Sequence, residues 1–146
     1  MTWKVTYRID RYRPGEESRT DAFDIEIEPH RTLLDGIEQA WAQHDRTLTF
    51  RHACHHASCG SCAFVANGVE VLPCIVEIQD VVENGGEIHC EPLYNFPVLA
   101  DLVVDMGDFF DKMRLMEMPI ITPTGPLPEQ PPDDYNRYEN CIECAM

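Results

Sequence analysis

Residues 3–9 alternate cleanly, with Trp3, Val5, Tyr7 and Ile9 on one face and Lys4, Thr6 and Arg8 on the other. That period of two predicts a half-buried strand. Pro14-Gly15 marks a turn, and Phe23, Ile25 and Ile27 then alternate with Asp24, Glu26 and Glu28, so the two strands pair as a hairpin with a long polar connection. Thr32 opens a helix, with Asp35 placed for a capping-box contact, and Leu33, Leu34, Ile37 and Trp41 fall on one face as core residues. Phe64 and Val65 lead to Asn67-Gly68, a strong two-residue hairpin signal, with Val69, Val71 and Cys74 on the returning strand. A short strand near residues 88–91 completes the sheet. From Pro97 a second helix is expected, since Val98, Leu99, Leu102, Val103, Met106, Phe109, Phe110 and Met113 recur at helical spacing; its stripe reads as domain core, bent or broken at Gly107. Two hairpins, a helix and a late strand predict an α+β domain with the helix packed across a small sheet.

The chemistry begins between the helix and the second hairpin. Cys54, Cys59, Cys62 and Cys74 have the spacing C-x4-C-x2-C-x11-C. Thiolates so arranged suit a two-iron, two-sulfide cluster, which needs two protein sulfurs on each iron. The intervening Ala57, Ser58, Gly60 and Ser61 are small or polar, leaving backbone N–H groups free to approach the sulfurs, and Gly60 tolerates positive φ. Structural zinc is the first competing reading, although zinc sites more often show two separated C-x2-C knuckles. Disulfides fit less well, because the chain has seven cysteines and its first residues lack the apolar core of a signal peptide. His52, His55 and His56 raise a Rieske-type ligand set; with four cysteines already spaced, they read as solvent-facing loop residues. Cys90 reads as a small buried strand residue.

The chain has 146 residues, about one domain, and no apolar run approaching the roughly 20 residues that span a bilayer. Its formal charge of -15, from 26 acidic and 11 basic residues, disfavours nucleic acid and suits both solubility and docking on a basic protein surface. Dense prolines after Met118 predict an extended connector. Cys141-Ile-Glu-Cys144 beyond it has the opening C-x2-C of a four-iron ferredoxin run, but two thiols cannot saturate such a cluster. The tail reads as a truncation, as a subunit whose remaining ligands come from elsewhere, or as two free cysteines.

Phe50-Arg-His-Ala-Cys54, Cys59-Gly-Ser-Cys62, Asn67-Gly68, Cys74 and the stretch from Asn95 to Met106 together resemble the iron–sulfur subunit of succinate dehydrogenase and fumarate reductase. The resemblance implies a β-grasp, ferredoxin-like domain over residues 1–118, with a 2Fe–2S cluster on Cys54, Cys59, Cys62 and Cys74. A Pro-rich linker at 119–134 follows, then the start of a second, 4Fe–4S ferredoxin-type domain at 135–146. Cys141 and Cys144 match the first two ligands of a 4Fe–4S site, to be filled if the missing ligands are supplied. The implied role is one-electron relay between an FAD-containing flavoprotein subunit and downstream clusters and quinone. Membrane anchor subunits would hold the complex on the inner face of the cell membrane, with this chain cytoplasmic, peripheral and not inserted. No residue is assigned to acid–base chemistry on the dicarboxylate.

Two other functions stay open at this point: a soluble 2Fe–2S carrier for another reductase, and a zinc-stabilised interaction module. Many members of the resembling family carry glycine where this chain has Ala57, so a positive φ there would strain the loop. Hydrogen bonds from His55 and His56 near the cluster would make its potential depend on pH.

Overall fold

The computed structural model describes residues 1–116, which divide into a unit over residues 1–105 and a second unit that begins at Met106. The linker and second-domain expectations, with Cys141 and Cys144, lie outside the described residues.

In the first unit, strands β1 (Trp3–Arg11) and β2 (Arg19–Ile27) form the antiparallel hairpin expected from their alternation, paired in register from Trp3 opposite Ile27 to Arg11 opposite Arg19. Helix α1 (Leu33–Gln43) follows at once. Its capping box is complete: the Asp35 amide donates to Thr32 Oγ1 at 3.2 Å, and the Thr32 amide donates to Asp35 Oδ2 at 3.0 Å. Strands β3 (Phe64–Ala66) and β4 (Val69–Val71) are joined by Asn67 and Gly68, at φ 49° and 80°, as a two-residue turn with two positive φ angles requires.

Strand β5 (Glu87–Glu91) decides the topology. It lies parallel to β1 and antiparallel to β3, giving a mixed sheet in the order β2-β1-β5-β3-β4. Val5, Tyr7, Ile9, Ile25 and Ile88 from the sheet meet Leu33, Ile37 and Ala40 from α1 in one core. At its centre Tyr7, fully buried, packs so closely on Gly36 that a Cβ there would lie 2.1 Å from the Tyr7 hydroxyl. Only glycine lets the helix sit this near the sheet. Cys90 is wholly buried opposite Ala66, the structural role expected of it, and burial pushes its thiol pKa up.

Three expectations are corrected. Trp41 leaves the core: it is 36% exposed, with the Arg46 guanidinium stacked 4.0 Å above its ring. Cys74 is not on the returning strand, because β4 ends at Val71. Pro73 has no N–H for a ladder, and its carbonyl accepts instead from the Leu34 amide at the start of α1, at 3.0 Å. The helix foreseen from Pro97 is mostly a small hairpin, β6 (Val98–Ala100) with β7 (Val103–Val104), turned at Asp101 with φ 45°. A positive φ cannot be accommodated inside a right-handed helix. Leu102, Val103 and Val104 are still buried, but from a hairpin.

Helix α2 (Gly107–Leu115), in the second unit, starts at the glycine that had been read as its break, and none of its residues is buried, so its apolar stripe is not core. No helix among the described residues is long and apolar enough to cross a membrane.

Candidate metal centre

The segment from Phe50 to Ala63 carries no regular element and turns on three positive φ angles, at His55 (59°), Ala57 (57°) and Gly60 (67°). Glycine adopts this conformation freely, while histidine and alanine adopt it under strain. The strain foreseen at Ala57 is therefore present.

The chain closes around the sulfurs. Ser58 and Cys59 amides point at Cys54 Sγ at 3.2 and 3.4 Å, and the Ala57 amide points at Cys74 Sγ at 3.4 Å, across 17 residues of sequence. Cys59 Sγ lies 3.1 Å from Ser61 Oγ. All four thiols spaced in the sequence are thus gathered at one place, Cys62 and Cys74 packed in one small buried cluster and Cys54 held against the amide of Cys59.

The thiols differ in environment. Cys59 is exposed and Cys54 half-buried, whereas Cys62 and Cys74 are each 6% exposed and pack with Leu34 of α1 in a satellite core flanked by Phe50 and Leu72. The Cys54 thiol is drawn down to about 6, chiefly by the backbone N–H of His56, with those of Cys59 and Ser58 adding to it. Cys59 is lowered as well, mainly by the Ser61 hydroxyl. Cys62 is pushed up to about 12, by burial first and by the adjoining Cys74 thiol second. A cation at the centre would therefore meet a readily ionised thiol in Cys54 and would have to displace a proton from Cys62.

His52, His55 and His56 are exposed loop residues, as expected, but the ring contacts of His55 and His56 run to groups other than the sulfurs. His56 Nδ1 is engaged with the Cys54 carbonyl oxygen. His55 turns from the thiols to His52, whose Nδ1 lies 2.9 Å from His55 Nε2, and both face Glu38 of α1.

What sequence reasoning missed is the polar frame behind the loop. Arg11 continues the inward-facing alternation of β1 and is 3% exposed. Its Nη1 donates to Asp21 and Asp45 at 2.8 and 2.7 Å, its Nη2 to Thr47 at 2.9 Å, and its Nε pairs with Asp101 at 3.2 Å. Asp101, 1% exposed, also pairs with Arg13 at 3.1 Å and accepts the amides of Tyr12 and Thr49 at 3.1 and 2.7 Å. The Arg11 hydrogen bond holds the Asp45 carboxyl well below the usual carboxylate range. Arg51 donates to the Val104 carbonyl at 3.0 Å. The entrance to the loop is fixed from behind on both sides. An arginine at an inward position of a strand was the only sequence signal for this network.

Known proteins share both sequence and fold with this chain. Over its whole length the chain is 31% identical to the fumarate reductase iron-sulfur subunit of Mycobacterium tuberculosis, of which it covers 62%. It is 31% identical over 96% of its length to the succinate dehydrogenase iron-sulfur subunit of Paracoccus denitrificans, covering 55% of that protein. It thus spans less than two thirds of either. Among solved structures, a chain of the Mycobacterium smegmatis Sdh1 complex in the apo form superposes with a TM-score of 0.78 at 25% identity, over 99% of this chain and 62% of that one. Residues 6–111 match the 2Fe-2S iron-sulfur cluster binding domain, and with four thiols gathered at a loop of inward-pointing amides, the chain belongs to that family.

Proposed function

We propose that this chain is the electron-transferring part of the iron–sulfur subunit of a succinate dehydrogenase or fumarate reductase complex, with Cys54, Cys59, Cys62 and Cys74 as the ligands of one 2Fe–2S cluster. The observation that carries the assignment is the gathering of four thiols in one amide-lined loop, Cys62 packed with Cys74 and Cys54 held against the Cys59 amide, since a cluster of two irons takes two protein sulfurs on each. When bound, the cluster would accept and release one electron at a time.

The chain's own residues do the rest. Cys62 and Cys74 anchor the buried side against Leu34 and Phe50, which keep water from it. The amides of Ala57, Ser58 and Cys59 place partial positive charge at the sulfurs, which favours the more negative, reduced state and so raises the potential. Cys54 and Cys59 form the accessible side, where a redox partner approaches closely. The excess of acidic side chains favours a basic surface on that partner. In the complex that partner is a flavoprotein subunit carrying FAD, and the downstream acceptors are further clusters and a quinone. Attachment to the inner face of the membrane then runs through anchor subunits, while this chain stays outside the bilayer.

Electron paramagnetic resonance of the anaerobically purified chain, before and after dithionite, tests the reading together with an iron and acid-labile sulfide count. A rhombic signal on reduction with about two irons per chain is expected. A colourless protein holding one zinc and no iron overturns it.

A further inference from the structure

Beside the thiols, on the face of α1 turned to the loop, three other donor atoms converge. Glu38 Oε1, His52 Nδ1 and His55 Nε2 form a triangle with sides of 3.4, 3.6 and 2.9 Å. The point equidistant from three such atoms is about 1.9 Å from each, so a cation slightly above their plane would sit at the roughly 2.0–2.2 Å typical of zinc bound by imidazole and carboxylate. The chain's protons do not satisfy this arrangement. One imidazole N–H can serve the His52–His55 contact, and Glu38 Oε1, fully buried, then accepts no hydrogen bond. Three donor atoms this close about one point, one of them a buried carboxylate oxygen without a hydrogen bond, suit a metal ion better than one another.

The donors are also held in place. The His52 ring stacks on Phe50 at 5.4 Å between centroids and 19° between planes, and His55 meets His52 edge-on at 84°. Glu38 is fixed by the helix. A groove of about 670 Å³, walled in part by Trp41, Leu48 and Phe50, opens beside the triangle and leaves room for a water molecule or an incoming ligand in the fourth position.

We propose that Glu38, His52 and His55 bind a second metal, a divalent first-row cation of the zinc type in tetrahedral geometry, separate from the four-cysteine centre. Such an ion ties α1 to the first turn of the loop, and its site stands whether or not the relay function proves right. The comparable triad of Asp10, His89 and Glu91 lacks this geometry, because its two carboxylates approach opposite nitrogens of one ring, at 2.9 and 3.9 Å.

The test is equilibrium dialysis of the cluster-loaded full chain against zinc, with zinc and iron counted by mass spectrometry in wild type, His52→Ala, Glu38→Gln and the control His89→Ala. His52 is chosen over His55 because His55 holds a positive φ and its replacement would disturb the loop directly. Zinc taken up by thiols elsewhere in the chain is common to the four proteins and cancels in the comparison, since none of the substitutions touches a cysteine. One additional zinc per chain is expected in wild type and His89→Ala with iron unchanged, its affinity falling at least about tenfold in both His52→Ala and Glu38→Gln. Zinc uptake that is equal in wild type and Glu38→Gln, uptake only as iron is lost, or no uptake overturns the proposal. Should His52→Ala fail to hold its iron, Glu38→Gln, placed on the helix, decides alone.

Discussion

Asp101 is the residue whose replacement tests the structural account most severely. It is a carboxylate 1% exposed at a backbone φ of 45°, pairing with two arginines and accepting two backbone amides. In Asp101→Ala the Arg11 side chain, itself 2% exposed, keeps Asp21 and Asp45 but loses its partner at Nε. Breaking a buried pair from one side costs about 3–5 kcal/mol. The orphaned amides of Tyr12 and Thr49 add roughly 1–3 kcal/mol each if water does not reach them. Asp101→Asn keeps an acceptor and a side chain that tolerates positive φ, so it loses charge but not geometry and should fall well short of alanine. Because cluster release makes unfolding irreversible, the useful readout is the rate of visible-absorbance loss in fixed urea. If half of a 3 kcal/mol loss falls on the unfolding barrier, release accelerates about tenfold. Acceleration below about threefold in Asp101→Ala, or equal effects of Ala and Asn, would refute the view that this buried carboxylate holds the loop entrance.

Other outcomes follow from the same geometry. Cys59→Ser should lower bound iron sharply while Cys90→Ser leaves it unchanged, since Cys59 lies in the sulfur cluster and Cys90 under the sheet; equal iron in both would cancel the ligand assignment. Ala57→Gly should relieve roughly 1 kcal/mol of strain at φ 57° and slow cluster loss to a chelator by up to about fivefold. A faster loss would mean that alanine rigidifies the loop usefully. Gly36→Ala should lower the thermal midpoint by about 10 °C, because overpacking against Tyr7 at 2.1 Å outweighs the helix-propensity gain of about 1 kcal/mol; an unchanged or raised midpoint on calorimetry would show that Tyr7 moves aside freely.

Local pattern was enough to place β1, β2, the start of α1 and the β3–β4 turn, because side-chain periodicity, the Thr32–Asp35 box and Asn67-Gly68 each act within a few residues. The spacing of the four cysteines likewise pointed to the two-iron cluster whose binding-domain family the chain matches, since a short loop has few ways to wrap one cluster. Tertiary structure decided what depends on distant partners. The hairpin at Val98–Val104 displaced a plausible helix because Asp101 is claimed by Arg11, 90 positions earlier. Trp41, spaced as a core residue, lies instead at the surface, covered by Arg46. Likewise, only the docking of α1 on the loop brought Glu38 to His52 and His55. A sequence read in short windows carries periodicity and turns; the energy of a buried charge or a convergent donor set belongs to pairs that the folded chain alone brings together.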